Sequence, residues 1–380
     1  MIYLDSAATS LQKPPRVAAA MVHAMRTMAS PGRGGHRPAM LAADIALDCR
    51  EAVARLFGVP RPENVVFTLN ATHALNIAIK SLVTAGDKVV ISGYEHNSVT
   101  RPLRALGAEV VTAASPLFDA DAALEAFSEA MVDAKCCVCT HISNVFGFVM
   151  PIERIAALCR ERGTALIIDA SQSAGCAEIN FHELGADFIA MPGHKGLMGP
   201  QGTGILLCGD TLPQPVLHGG TGSQSAMQDM PDWLPDLLEA GTHNITGIAG
   251  LHEGVKYVLQ KTPSAIMAHE QAVMARLAER LSAIPGAEVY RASDPACQSG
   301  VLSARFEGID SEGLAAELGR RDVCVRAGLH CAPAAHETAG TRESGTIRFS
   351  SSRFNTLSEA ERASEIVEKL VKNGYSMKKL

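Results

Sequence analysis

The stretch AMPGHKGLMGPQGTG occupies residues 190–204, and one lysine, Lys195, stands in it between Gly193 and Gly196. It follows the apolar run at residues 188–191, which predicts a buried strand. The two glycines let the backbone turn and approach a bound group, so the lysine amine can point into a cavity. A desolvated lysine loses its proton more readily than one in water, and the free amine can form a Schiff base with an aldehyde. The alternative is a solvated lysine on a flexible loop.

The composition excludes several classes of function. With 380 residues, 47% of them hydrophobic, the chain can build one large core and a smaller one. A formal charge of -6 without a basic cluster argues against a nucleic-acid partner and for a small-molecule substrate. The opening MIYLDSAATS shows no export signal, and no stretch reaches the length of a membrane span. Ten cysteines without the spacing of a disulfide framework agree with a reducing compartment, so we expect a cytoplasmic protein that does not contact a membrane.

Short apolar runs alternate with helical periods between residues 64 and 208, a pattern typical of crossover units on a mostly parallel sheet. The predicted strands are residues 65–69, 88–92, 109–112, 136–142, 165–169, 188–191 and 204–208. The predicted helices include residues 14–28, 41–57, 246–259 and a last one that ends near residue 379. A glycine-rich loop at residues 30–38 carries Arg33, His36 and Arg37.

A change in composition at residues 261–263 predicts a domain boundary. We therefore expect an α/β protein in which residues 1–260 form a large domain with a mostly parallel seven-stranded sheet. Residues 261–380 would form a smaller α+β C-terminal domain that carries the loop with Cys331, and the N-terminal segment could pack on this smaller domain.

Ligands of such sheets bind beyond the carboxyl ends of the strands, so the residues that follow each run are candidates for the site. Asp169 could hold a protonated pyridine nitrogen, or it could cap the next helix. Residues 70–73 open a helix whose free N–H groups, with the Thr72 hydroxyl, could seat a phosphate. His96 could lie flat on an aromatic cofactor, although a lone histidine is more often an ordinary structural residue.

One cysteine differs from the others in its surroundings. Cys331 lies in CVRAGLHCAP, residues 324–333, and has Arg326 and His330 nearby in sequence. Neighbouring cationic groups lower the pKa of a thiol, and the thiolate is the nucleophile. The C-x-x-C at residues 136–139 lies inside an apolar run, which favours a core strand over a metal site, so no metal is expected.

Taken together, the motifs resemble a known family. YEHNS, THISNVFG, IIDASQ, GHKGLMGPQGTG, EAGTHN and RAGLHCAP resemble the class V, fold type I, pyridoxal-phosphate enzymes, in particular the SufS-like group II cysteine desulfurases. The resemblance extends from LDSAATS near the start to GTIRFS near the end. It implies pyridoxal 5'-phosphate as cofactor, a homodimer, and conversion of L-cysteine to L-alanine with the sulfur left on an enzyme cysteine as a persulfide. It also implies a protein that accepts this sulfur.

The resemblance also implies residue roles. Lys195 would bind the cofactor aldehyde and move the Cα proton, Cys331 would accept the sulfur, and His96 would stack on the ring, which makes these three the expected catalytic residues. Cofactor contacts are implied for Asp169 at the ring nitrogen, Gln172 at the ring hydroxyl, and Ala71, Thr72, His194 and Thr242 at the phosphate, Thr242 acting across the dimer. Substrate contacts are implied for His36, Asn144, Arg326 and Arg348, of which Asn144 and Arg348 would clamp the carboxylate.

This chain departs from the family pattern at three positions. Pro192 stands where a serine is common, Leu329 replaces the first histidine of an HHC motif, and His73 replaces a frequent glutamate. These changes leave other functions open. The first alternative is a selenocysteine lyase, or another class V lyase or aminotransferase acting on a different amino acid. The second, from another class, is a non-catalytic scaffold for sulfur delivery.

Overall fold

The computed structural model of the chain describes residues 1–31 and 34–372. Arg33 of the glycine-rich loop and the end of the predicted last helix lie outside these residues. The strands are β1 (Ile2–Tyr3), β2 (Val65–Thr68), β3 (Lys88–Ser92), β4 (Glu109–Ala113), β5 (Cys136–Thr140), β6 (Ala165–Asp169), β7 (Phe188–Pro192), β8 (Gly204–Cys208), β9 (Ala287–Tyr290), β10 (Val301–Phe306), β11 (Val323–Cys324), β12 (Arg326–Gly328) and β13 (Thr346–Ser350). The helices are α1 (Pro15–Thr27), α2 (Arg37–Phe57), α3 (Ala71–Leu82), α4 (Asn97–Leu106), α5 (Ala120–Ala130), α6 (Ile152–Arg162), α7 (Phe181–Leu184), α8 (Ile245–Lys261), α9 (Pro263–Ser282), α10 (Ser311–Gly319), α11 (Pro333–Thr338) and α12 (Leu357–Lys372).

The large sheet has the order β2-β8-β7-β6-β5-β3-β4, and β8 runs antiparallel to both of its neighbours. The expectation of a mostly parallel seven-stranded sheet is confirmed. Successive side chains of β5 point to opposite faces, so Cys137 and Cys139 join one hydrophobic cluster while Cys136 and Val138 join another. Helices cover both faces, which is why these strands are apolar at almost every position.

A second, antiparallel sheet has the order β12-β13-β10-β9, and α9 and α12 pack together beside it. Its hydrophobic core includes Ile2 and Leu4 from the start of the chain. The first strand, β1, pairs in parallel with β11. The N-terminal segment therefore packs on the C-terminal unit, while the boundary at residues 261–263, between α8 and α9, stays a prediction.

The second helix begins earlier than the sequence pattern indicates. We expect a loop to residue 38 and a helix from residue 41, but α2 starts at Arg37. The imidazole of His36 accepts a hydrogen bond from the backbone N–H of Ala39 and so caps the helix, and Pro38 lies in its first turn, where proline is tolerated. A histidine cap is uncommon, which explains why the sequence pattern misses this start.

The glycines around Lys195 serve close packing rather than a left-handed turn. A Cβ on Gly193 would lie 2.2 Å from Thr203 Oγ1, and one on Gly196 would lie 2.4 Å from the carbonyl oxygen of Ala174. Gly204, at the start of β8, faces the same limit, since a Cβ there would lie 2.6 Å from the carbonyl carbon of Asn70. Gly196 and Gly204 therefore allow the lysine loop and β8 to lie directly against neighbouring backbone, and Gly193 leaves room for the side chain of Thr203.

We predict that Gly204→Ala destabilises the protein by about 2 kcal/mol or more, because backbone at Asn70 must move to admit the methyl group. Urea unfolding measures this change. Gly319→Ala is the matched control, because this glycine lies in α10 and a methyl group added to it would meet nothing within 4 Å. This control should leave stability unchanged or slightly raised. Equal effects of the two substitutions would contradict the packing explanation.

Candidate active site

The candidate residues come together at the carboxyl edge of the large sheet. Asp169 ends β6, Lys195 follows β7, His96 follows β3 and Asn144 follows β5. These strands are parallel, so their ends meet at one edge. The electrostatics agree with this proximity, because Asp169 acts on the pKa of both Lys195 and His96.

The amine of Lys195 is poised to react. Desolvation lowers its pKa to about 8, and Arg348 and Arg326 act in the same direction, whereas Asp169 and Asp5 act against them. An amine with this pKa is partly neutral near physiological pH, and the neutral form is the nucleophile. The structure therefore favours the reactive amine over the solvated lysine.

Asp169 presents a buried carboxylate, 2% exposed, beside this amine. One of its oxygens accepts a hydrogen bond from the backbone N–H of Ser171 at 2.9 Å, and no salt bridge to it occurs among residues 1–31 and 34–372. A buried carboxylate is costly without a cationic partner. The protonated nitrogen of a pyridine ring would supply such a partner, so the chemistry of Asp169 fits the cofactor expected from the sequence.

The start of α3 offers a place for the phosphate. The side chain of Asn70 caps the helix by accepting from the backbone N–H of His73 at 2.9 Å. The backbone N–H groups of Ala71 and Thr72 remain, because the first residues of a helix have no partner within it. The Thr72 hydroxyl lies 2.8 Å from Ser98 Oγ, so it is held at this position. N–H groups and a hydroxyl at a helix start fit a phosphate.

The N-terminal segment holds the lysine loop and Gln172 in place. Ser10 donates to the carbonyl oxygen of His194 from its backbone N–H at 3.1 Å and from its hydroxyl at 2.9 Å. Thr9 Oγ1 lies 2.9 Å from His194 Nδ1, and Gln172 Nε2 donates to the carbonyl oxygen of Ala7 at 2.9 Å. Burial lowers the pKa of His194 to about 4, so its ring is neutral. The LDSAATS motif is thus a structural support of the site.

Asp5 is a site residue that the sequence reasoning missed. Its carboxylate accepts from Arg348 Nη2 at 3.0 Å and from Arg326 Nη2 at 2.9 Å, so it joins the two arginines expected to bind substrate. Arg348 Nη1 donates to the carbonyl oxygen of Asn144, and Arg348 Nε is buried without a partner in the described part of the chain. An unpaired N–H on a buried charged group is costly, so it fits a site completed by an anionic ligand.

The turn that carries Cys331 is short and held at two points. It joins β12 to α11, and Cys331 is exposed. The backbone N–H of Asn97, at the start of α4, donates to the carbonyl oxygen of Cys331 at 2.8 Å. The side-chain Nδ2 of Asn144 donates to the carbonyl oxygen of His330 at 2.8 Å. Both His330 and Cys331 have positive φ, 49° and 57°, a conformation that is strained for these residues. Cys331 acts electrostatically on Arg326 and Arg348, which places it near these two arginines.

The expectation that His330 is a cation beside Cys331 is wrong. The ring is buried, its Nε2 lies 3.2 Å from the Thr346 carbonyl oxygen, and desolvation lowers its pKa to about 2. Sequence proximity could not reveal this burial. The cationic surroundings of Cys331 therefore come from the arginines and not from this histidine.

Two predicted site residues are not brought to Lys195 within the described ranges. His36 is exposed at the cap of α2. Thr242 is also exposed and lines a separate depression together with Leu69, His73 and Leu217. Their roles in binding substrate and phosphate stay predictions, and that of Thr242 requires a second subunit.

Lys195 also lines a cavity, open in part to solvent, whose wall includes residues of the C-terminal unit. Glu270 lies on its wall, and the buried hydroxyls of Ser6 and Ser299 there have no partner in the part of the chain that the structure describes. Burial raises the pKa of Glu270 to about 8, and Arg353 opposes this shift. No local sequence pattern signals this acid, because its burial depends on contacts between distant segments.

No helix within residues 1–31 and 34–372 has the length and apolar character needed to cross a membrane. The same residues contain no cluster of three or more histidine, cysteine or acidic side chains arranged to bind a metal ion. The cysteines of the C-x-x-C lie in β5 and are buried, which confirms that this motif is a core strand.

The sheet, the lysine beyond β7 and the carboxylate at the end of β6 are those of a fold type I pyridoxal-phosphate enzyme. The family model described as aminotransferase class-V matches residues 2–363, and the chain belongs to this family, whose members depend on pyridoxal phosphate.

Several proteins named as cysteine desulfurases resemble the chain over nearly its whole length. A probable cysteine desulfurase of Methanothermobacter thermautotrophicus is 32% identical over 387 aligned residues, covering 98% of this chain and 95% of the relative. Among solved structures, the apo cysteine desulfurase of Thermococcus onnurineus NA1 matches with a TM-score of 0.89 and 31% identity, over 98% of this chain and 95% of that one. The S-sulfonic acid form of the Escherichia coli cysteine desulfurase CsdA matches with a TM-score of 0.86 and 25% identity over the same shares.

We predict that trace acetylation of the apoprotein labels Lys195 with a midpoint near pH 8, because desolvation lowers the pKa of the amine. Mass spectrometry of the labelled peptide across a pH series measures the midpoint. Asp169→Asn should lower it further, because the carboxylate that favours the ammonium form is gone. In urea-unfolded protein the midpoint should return to the ordinary lysine range. A folded-state midpoint equal to the unfolded one would contradict the desolvated site.

We also predict that Glu270→Gln stabilises the protein more at pH 8 than at pH 5. The folded state holds the Glu270 proton up to about pH 8, while the unfolded state loses it near pH 4.5, so wild-type stability falls across this window. The variant has no such pH-dependent loss of stability. At pH 8 its free energy of unfolding, measured with urea, should exceed that of wild type by a few kcal/mol at most. Glu129→Gln, at an exposed carboxylate, is the control. A stability difference that does not depend on pH would refute the buried-acid assignment.

Proposed function

We propose that the protein is a pyridoxal-phosphate-dependent cysteine desulfurase that converts L-cysteine to L-alanine and retains the sulfur on Cys331. The observation that carries this proposal is the placement of an exposed thiol, on a turn held at two points, within electrostatic range of the arginines beside Lys195. The names of the relatives support the same conclusion. A lyase that released sulfur directly to solvent would have no use for a thiol at this position.

When bound, pyridoxal phosphate supplies a carbonyl that condenses with the substrate amine and a ring that draws electron density from the α-carbon. Asp169 would hold the ring nitrogen, Gln172 the ring hydroxyl, and the start of α3 the phosphate. Near pH 8 the Nζ of Lys195 is available both as a nucleophile and as a base for the Cα proton. Partial burial limits the access of water to this amine, which keeps its pKa low.

Substrate orientation is assigned to Arg348 and Asn144. The substrate carboxylate is planar, and a guanidinium with a free Nε–H can receive it with a charge-assisted hydrogen bond. Asp5 holds Arg348 and Arg326 by hydrogen bonds, so the guanidinium of Arg348 has a fixed position before the substrate arrives. Fixed positioning of this kind reduces the entropy cost of binding.

Sulfur transfer is assigned to Cys331. Its thiolate attacks the substrate sulfur, the Sγ–S bond forms, and the Cβ–S bond of the substrate breaks with its electron pair remaining on the three-carbon fragment. Uptake of protons by that fragment gives alanine, and the enzyme is left as the persulfide. The overall exchange moves one sulfur atom and needs no external oxidant.

We further propose a cytoplasmic homodimer that passes its sulfur to an acceptor protein. The ten free cysteines support a reducing compartment. The exposed side chains of Leu69 and Leu217 around Thr242 support a second subunit at that depression, where this threonine would reach the phosphate of the partner.

The test is turnover of L-cysteine and L-selenocysteine by the protein loaded with pyridoxal phosphate, with alanine and sulfide measured under reductant. Wild type should form alanine from L-cysteine, and Cys331→Ala should lose at least roughly a hundredfold in this rate, because no other residue accepts the sulfur. Cys297→Ala is the matched control, since this cysteine is partly exposed but lies outside the site, and it should retain full activity.

The other outcomes separate the alternatives. Equal L-cysteine activity of wild type and Cys331→Ala would contradict the persulfide step. Activity on L-selenocysteine alone, independent of Cys331, would identify a selenocysteine lyase. Failure to bind pyridoxal phosphate at all would favour the non-catalytic scaffold.

A further inference from the structure

The ring of His96 is held by its neighbour two residues on. The backbone N–H of Ser98 donates to His96 Nδ1 at 3.0 Å, and the Ser98 hydroxyl oxygen lies 2.9 Å from the same nitrogen. That hydroxyl also lies 2.8 Å from Thr72 Oγ1. Ser98 is buried, 9% exposed, so water does not compete for these contacts. The arrangement connects the ring expected to stack on the cofactor with the hydroxyl expected at its phosphate.

The first of these contacts fixes the tautomer. A backbone N–H can only donate, so His96 Nδ1 must present its lone pair and cannot carry a proton. The neutral ring therefore carries its proton at Nε2. No partner for Nε2 occurs in residues 1–31 and 34–372, so this N–H is available to a bound group.

The hydroxyl of Ser98 completes the arrangement. The hydroxyl acts as a second donor to the lone pair of His96 Nδ1, while Thr72 donates its own hydroxyl proton to Ser98 Oγ. Protonation of Nδ1 would break both contacts to this nitrogen, so the neutral ring is preferred. Desolvation acts in the same direction and lowers the pKa of His96.

The charges that face the ring come from several elements. Asp169 at the end of β6 favours the protonated ring, whereas Lys195 after β7, Arg101 in α4 and Arg348 in β13 disfavour it. Burial has the largest effect and also disfavours it. The contacts of Ser98 therefore reinforce a balance that already favours the neutral form.

The same helix start also holds the sulfur-accepting turn. Asn97 lies between His96 and Ser98 in the sequence, and its backbone N–H donates to the carbonyl oxygen of Cys331 at 2.8 Å. A ring fixed at the cap of α4 thus keeps a constant relation to Cys331 as well as to Thr72.

We propose that Ser98 is a positioning residue for His96: it holds the ring neutral with its proton on Nε2 and joins it to Thr72 at the phosphate seat. This inference rests on the proposed function only where it concerns the use of the Nε2 proton in the reaction. It concerns contacts within this chain, so it can be tested without turnover.

The experiment is ¹⁵N NMR of the histidine rings in the apoprotein, with the His96 signals identified by their loss in His96→Gln. Wild type should show one neutral tautomer with the proton on Nε2. Ser98→Ala should raise the pKa of His96, because one hydrogen bond to the neutral form is lost. The expected change is a roughly threefold to tenfold decrease in the acid dissociation constant of the ring. Ser98→Thr keeps the hydroxyl and should restore the wild-type titration.

Ser364→Ala, at a buried serine of α12, is the matched control and should leave the His96 signals unchanged. In the loaded enzyme, Ser98→Ala should shift the acidic limb of the rate profile by the same amount as the NMR titration. Two results overturn the proposal: a proton on Nδ1 in wild type, or an unchanged His96 titration in Ser98→Ala. Correct NMR results without alanine formation would instead reject the proposed function and leave the positioning intact.

Discussion

The site depends on one balance, the desolvation of the Lys195 amine beside the buried carboxylate of Asp169. Burial alone would make the amine neutral and the carboxylate costly to keep charged. Placed together, each reduces the cost of charging the other, so the pKa of the amine falls only to about 8 and a fraction of it is neutral at physiological pH. In the proposed complex, the protonated nitrogen of a pyridine ring would take over part of this compensation at Asp169.

The start of the chain supports this balance from outside the sheet. Ser10 and Thr9 form hydrogen bonds with His194 next to the lysine, and Asp5 forms ion pairs with Arg326 and Arg348. Leu4 is buried in the core of the C-terminal unit. The N-terminal segment therefore contacts the lysine loop, the two arginines Arg326 and Arg348, and the second sheet.

Much of the fold and part of the site follow from the sequence, because buried parallel strands leave continuous apolar runs and their ends mark the ligand edge. The strands of the large sheet and the positions of Asp169, Lys195 and His96 at its edge are predictable in this way. Asp5, Ser98 and Glu270 are not, since their importance arises from contacts with distant residues or from burial that no local pattern reports. The expected charge of His330 is wrong for the same reason, and Gly193 and Gly196 are required by close contacts with Thr203 and Ala174 rather than by turn geometry.

The most direct test of the central claim is covalent mapping of the cofactor. The protein is incubated with pyridoxal phosphate, reduced with borohydride, digested and analysed by mass spectrometry. The account predicts a pyridoxyl group on Lys195 in wild type and a strongly reduced yield in Asp169→Asn. A pyridoxyl group found mainly on other lysines, or an equal yield on Lys195 in both proteins, would contradict it.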